Sequence, residues 1–188
     1  MNSRARTGIL AVAAMTAGCV SASGQAYKVR PELVRPRPAI VLGGTLGLSA
    51  TPGVVNFSLA PGGTAQGSSG VTITTTWNVL GLITTMNLYG YFASANGALS
   101  DGRTPADLIP SSAVFGQVST GMPTSYTAFT EATPYSGASG LQLYSQSSFL
   151  TLSGNRTDVM NLKINLSNVP NLPPGTYTGT LTLQVSMN

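Results

Sequence analysis

Seven charged side chains follow Pro38 in this chain of 188 residues: Asp101, Arg103, Asp107, Glu131, Arg156, Asp158 and Lys163. There is no histidine, and the one cysteine is Cys19. General acids, bases, nucleophiles and metal ligands come mainly from Asp, Glu, His, Cys and Lys. A body this poor in them points away from catalysis, so we expect no enzyme, no cofactor and no metal centre.

The few candidates bear this out as an expectation. Asp101 and Asp107 could offer oxygens to calcium, which takes roughly six to eight oxygen ligands. They lack the Asp-x-Asp-x-Asp-Gly pattern, and solvation in a loop is the better reading. Arg156 and Asp158 flank Thr157 and are expected to pair as exposed charges, an arrangement that stabilises little. A serine nucleophile needs an activating base. Without histidine the triad route is closed, and a Ser–Lys dyad through Lys163 would put the lysine on a wet strand face. A hydrolase would have to rest on Lys163 or Glu131.

Two residue groups point instead to binding or anchoring. Tyr89 and Tyr91 lie two apart and should project from one wet strand face, where neighbouring rings can stack on sugars. The plainer reading is that a loop or a second subunit covers them. Thr16-Ala17-Gly18-Cys19 resembles a bacterial lipobox, with Thr where Leu is usual, and would make Cys19 a lipidation site. The plainer reading here is an ordinary cysteine in a leader that is removed.

The surrounding sequence supports that leader. Arg4 and Arg6 precede an apolar run, Gly8–Gly18, and small residues follow to Ala26. This order is that of a secretory signal peptide, and the run is about half the ~20 residues needed to span a bilayer. Cleavage is expected after Ala22 or Ala26. Residues 1–26 are therefore assigned to a signal peptide and 27–38, YKVRPELVRPRP, to a Pro/Arg-rich linker of extended character. Residues 39–188 form the domain. Its location is extracytoplasmic: secreted, periplasmic or at the cell surface.

Charge is distributed accordingly. The whole chain has a formal charge of +4. From residue 39 onward three basic residues face four acidic ones, a net of −1. Nucleic-acid binding requires a clustered basic surface, and the domain has none, so no nucleic-acid partner is expected. Membrane contact is expected only through the leader or a lipidated Cys19.

The body is patterned for strands. Four segments alternate apolar and polar residues: Val71–Val79, Met86–Ala93, Met160–Ser167 and Tyr177–Asn188. Trp77 falls on an apolar face and is expected in the core. Weaker strands are expected at Thr45–Ser49, Val54–Leu59, Ala113–Val118, Tyr126–Phe129, Leu141–Tyr144 and Phe149–Leu152. Turns are expected at Thr51–Gly53, Pro61–Gly63, Ser153–Asn155 and Pro173–Gly175. Asn96–Ser112 is the longest unpatterned stretch and reads as a loop. Many short strands between Gly/Pro turns predict an all-β, immunoglobulin-like antiparallel β-sandwich.

The segment Leu172-Pro173-Pro174-Gly175-Thr176-Tyr177, running on through Val185, resembles the closing segment of the spore coat protein U family and related archaic chaperone–usher pilus subunits. Val114–Val118 resembles a short strand in the middle of those domains. The resemblance implies a periplasmic chaperone, an usher and subunits joined by strand donation. The chain departs from the pattern at Gly179, where Asp is usual, in lacking the paired cysteines, and in closing on Met187-Asn188 rather than near an aromatic residue.

The expected function is an exported, non-enzymatic structural, surface or adhesion protein, able to act as a subunit of an extracellular assembly. Self-association or other envelope proteins are the expected partners. A nearly neutral surface lacks the charge that keeps domains apart, and Thr178–Ser186 carries no charged residue to block edge pairing. The alternative is a secreted carbohydrate-binding module that engages polysaccharide through Tyr89 and Tyr91.

Overall fold

Alternation of small polar and large apolar residues builds two sheets whose apolar faces meet. The computed structural model describes residues 6–19, 45–78, 83–133, 139–149 and 153–187. The strands are β1 (Arg6–Cys19), β2 (Thr45–Thr51), β3 (Val54–Leu59), β4 (Thr64–Gln66), β5 (Val71–Asn78), β6 (Ile83–Phe92), β7 (Leu99–Ser100) and β8 (Leu108–Ile109). They continue as β9 (Val114–Val118), β10 (Thr127–Ala128), β11 (Glu131–Ala132), β12 (Ser139–Phe149), β13 (Ser153–Asn165) and β14 (Gly175–Met187). One turn of 3-10 helix, Ser111–Ala113, is the only helix among the described residues.

The larger sheet runs in the order β11-β12-β6-β14-β1-β3, with the short pair β7 and β8 joined to the flank of β14. The smaller sheet runs β10-β9-β13-β5-β2, and β4 pairs with β13. Among the described strands all pairings are antiparallel except that of β1 with β3. The protein is an all-β sandwich.

The predicted faces hold. Val71, Ile73 and Trp77 of β5, Met86, Leu88 and Phe92 of β6, and Met160, Leu162 and Ile164 of β13 are buried. Tyr177, Leu181, Leu183 and Val185 of β14 complete the inner face of the larger sheet. Phe92 meets Phe129 edge to face at 5.2 Å between ring centres. Burying each such large side chain contributes about 1.5–3 kcal/mol, which offsets the entropy of ordering a chain without disulfides.

Three expectations change. The turn expected at Ser153–Asn155 is the start of β13, because these residues pair with Asn78, Trp77 and Thr76 of β5. The loop expected at Asn96–Ser112 contains β7 and β8, tied down by the buried Leu99 and Ile109. Leu141–Tyr144 lies in the first half of a much longer strand, β12. The cleavage positions at Ala22 and Ala26, the 27–38 linker, and residues 150–152 of an expected strand lie outside the described residues.

Gly179 has a direct structural reason. A Cβ there would lie 2.0 Å from the backbone oxygen of Ala98, which crosses beside β14. No side chain fits against that oxygen without moving the backbone. An aspartate at this position is therefore incompatible with the packing of the segment before β7.

Candidate functional site

The leader-like residues 6–19 occupy an interior strand. β1 lies antiparallel to β14, from Arg6 opposite Met187 to Cys19 opposite Gly175, with a register shift between Ile9 and Val12. On its other side it runs parallel to β3, from Ala14 opposite Val54 to Cys19 opposite Leu59. The seat it fills is flanked by buried apolar residues: Val55, Phe57 and Leu59 of β3, and Tyr177, Leu181, Leu183 and Val185 of β14. Without β1, both neighbours would present backbone donors and acceptors that need a partner. Cys19 ends this strand.

Tyr89 and Tyr91 share the outer face of β6, as their spacing predicts, and both are half-buried. Their hydroxyls are held by side-chain amides. Gln142 Nε2 donates to Tyr89 Oη at 3.0 Å and to Asn87 Oδ1 at 3.2 Å. Tyr91 Oη donates to Gln184 Oε1 at 3.1 Å. Gln184 is only 1% exposed. Burial raises the pKa of both phenols, and the nearby Glu131 carboxylate pushes Tyr89 further the same way. The two rings and their amides form a fixed ladder across β12, β6 and β14.

Beside this ladder runs a shallow groove at the sheet edge, lined by Met122, Pro123, Thr124, Ser125, Glu131 and Gln142. A bulge in β12 shapes it. Gln142 lies opposite Tyr89 and Tyr144 opposite Leu88, so Leu143 is the extra residue. Bulges leave backbone groups without ladder partners. Here Glu131 Oε2 accepts the Gln142 N–H at 2.8 Å, and the Met122 N–H donates to Leu143 O at 3.0 Å.

The second charged constellation was expected on the surface and is found inside. Asp158 is 1% exposed and points with Met160 and Leu162 toward the core. Arg156 Nε and Nη2 donate to its two oxygens at 2.7 Å each, a bidentate pair. Thr120 Oγ1 donates to Asp158 Oδ1 at 2.7 Å, and Arg156 also donates to Thr120 O. The Arg156 guanidinium lies 3.8 Å from the centre of the Tyr144 ring, on the opposite sheet. The hydrogen bond to Asp158 raises the arginine pKa, while burial raises that of Tyr144. This cluster joins both sheets and the 119–125 loop.

The remaining charges are placed separately. Asp101 Oδ1 accepts the N–H groups of Arg103 at 3.1 Å and Asp107 at 3.0 Å, so it closes a turn. Arg103 Nε lies 3.2 Å from the other Asp101 oxygen. Among the described residues no three His, Cys, Asp or Glu side chains gather within reach of one metal ion. Lys163 stands on the outer face of β13 with its Nζ 5.0 Å from the Phe115 ring centre and 4.5 Å from that of Tyr126.

Sequence reasoning missed Gln142 and Gln184 as the partners of the tyrosines, Thr120 and Tyr144 as partners of the ion pair, and Phe115 and Tyr126 around Lys163. Only the last had a legible signal: Phe115 and Lys163 both fall on wet positions of predicted strands. Compared with protein-family models, with curated proteins and with solved structures, the chain matches none.

Proposed function

We propose that this chain is an exported, non-enzymatic structural subunit whose sandwich is completed by a strand in the β1 seat. The observation that carries this reading is the position of residues 6–19. They have the pattern of a removable leader, yet they lie between β14 and β3. Removal of residues 1–26 by a signal peptidase would leave an open strand seat with an apolar floor. A strand from a neighbouring molecule would then supply main-chain hydrogen bonds along both edges and apolar side chains to the core, as in strand-addition complexes. A domain charge near zero favours such association.

The test is intact mass and negative-stain microscopy of the protein recovered from its own cell envelope. A mature amino terminus beyond Cys19 together with filaments or ladders of subunits is the expected result. A chain that retains residues 6–19 and runs as isolated particles overturns it, because β1 is then a permanent strand.

A second reading is a carbohydrate-binding face. It is favoured by Tyr89 and Tyr91, two half-exposed rings on one face whose hydroxyls are fixed by Gln142 and Gln184. Fixed aromatic faces bind at low entropic cost. Quenching of fluorescence by neutral oligosaccharides, lost in Tyr89→Ala, would support it; no response to any neutral sugar would remove it.

A further inference from the structure

We propose that the outer face of the smaller sheet carries a subsite for an acidic sugar, a uronate unit of a polysaccharide, built from Lys163, Phe115 and Tyr126. Lys163 of β13 and Phe115 of β9 are direct register partners, so their side chains stand next to each other on the face away from the core. Tyr126 immediately precedes β10, which pairs with β9 on its other side. The three side chains are half-buried and therefore reachable from solvent.

The ammonium lies between two ring faces, at 5.0 Å and 4.5 Å from their centres. Gln117 Nε2 donates to Thr124 O at 2.7 Å and fixes the loop that presents Tyr126. Among the described side chains the cations Arg103 and Arg156 are each paired with an aspartate, and Lys163 is paired with no carboxylate. The missing counter-charge is what selects the ligand. A sugar ring offers C–H groups to an aromatic face, and a uronate adds one carboxylate for a charge-assisted hydrogen bond to Nζ. A single ammonium suits one carboxylate per sugar unit. It does not suit a polyphosphate chain, whose binding scales with the number of cations engaged.

This subsite lies on the sheet opposite β1, β3 and β14, so it stands or falls independently of the strand-seat reading. It is also separate from the Tyr89 and Tyr91 face, which lies on the larger sheet.

The experiment is calorimetric titration of the full chain with trigalacturonate, its methyl ester and the neutral trigalactose. Binding of trigalacturonate is expected, weaker by about tenfold or more in Lys163→Gln and with the methyl ester, and nearly restored in Lys163→Arg. Tyr126→Ala should weaken it several-fold. Lys163→Gln is expected to fold normally, since a cation–π contact reachable by solvent stabilises by only about 0.5–1 kcal/mol, and its melting temperature checks this. Equal binding by wild type and Lys163→Gln overturns the proposal, as does the absence of binding at millimolar trigalacturonate. Vesicles of phosphatidylglycerol and phosphatidylcholine that bind through Lys163, where trigalacturonate does not, would likewise overturn it in favour of a lipid headgroup.

Discussion

Asp101-Gly102-Arg103 and Arg156-Thr157-Asp158 use the same two charged residues at the same spacing; both carboxylates are buried, and it is the two arginines that differ. The Asp101 carboxylate is enclosed by backbone while the Arg103 side chain is 60% exposed. In the second pair the aspartate is 1% exposed and the arginine 25%. The difference comes from the backbone beneath them. In β13, residues two apart share a face, and that face is the core. Between β7 and β8 the chain turns at Gly102 with φ +75°, a left-handed conformation that glycine adopts without strain. There, the aspartate bonds to the turn itself, and the arginine is left in water. Spacing alone gives proximity; the element decides whether the arginine is desolvated along with its aspartate.

Breaking each pair should expose that difference. The largest effect is expected for Arg156→Met. It leaves the Asp158 carboxylate buried without its cation, which costs about 3–5 kcal/mol, and urea denaturation should show a large fall in midpoint. Next is the alkaline range. The pKa of Tyr144 is raised, first by burial. The unfolded chain therefore releases this proton at lower pH than the folded one. Stability should be full below about pH 10 and fall as pH rises through the folded value. Tyr89 and Tyr91 shift in the same direction. Melting temperatures across this range should fall less steeply in Tyr144→Phe than in wild type.

The pair whose arginine lies in water should respond less. Asp101→Ala removes the acceptor for two backbone N–H groups and should cost about 1 kcal/mol, read from the same urea curves. Arg103→Ala should change stability by less than about 0.5 kcal/mol. A loss at Arg103 equal to that at Arg156 would mean that burial does not separate the two pairs.

The same contrast explains what was legible in the sequence. Strands β5, β6 and β14, and the inward half of β13, show themselves because one face is wet and the other dry, so their residues alternate. β12 shows only in part, at Leu141–Tyr144, because its bulge breaks that alternation: Leu141, Leu143 and Tyr144 are all buried. The start of β13 hides because Ser153, Gly154 and Asn155 are turn-forming residues, and their strand conformation is imposed by pairing with β5. Asp158 misleads for a related reason: a charge on the inner face is readable only once its partners Thr120 and Tyr144 are known, and both are remote in sequence. Tyr89 and Tyr91 are placed correctly by alternation, but the amides of Gln142 and Gln184 come from two other strands. β1 is the extreme case, since its composition signals a leader and only its pairing makes it a strand.

The place of β14 has a consequence for biosynthesis. It lies between β6 and β1, so the larger sheet consists of two unjoined pieces until residues 175–187 are available. A ribosome delivers those residues last among the described ones. Pairings this remote in sequence are slow to form because loop closure must precede them. The smaller sheet does not contain β14, so in a nascent chain it can pair before the larger sheet is joined.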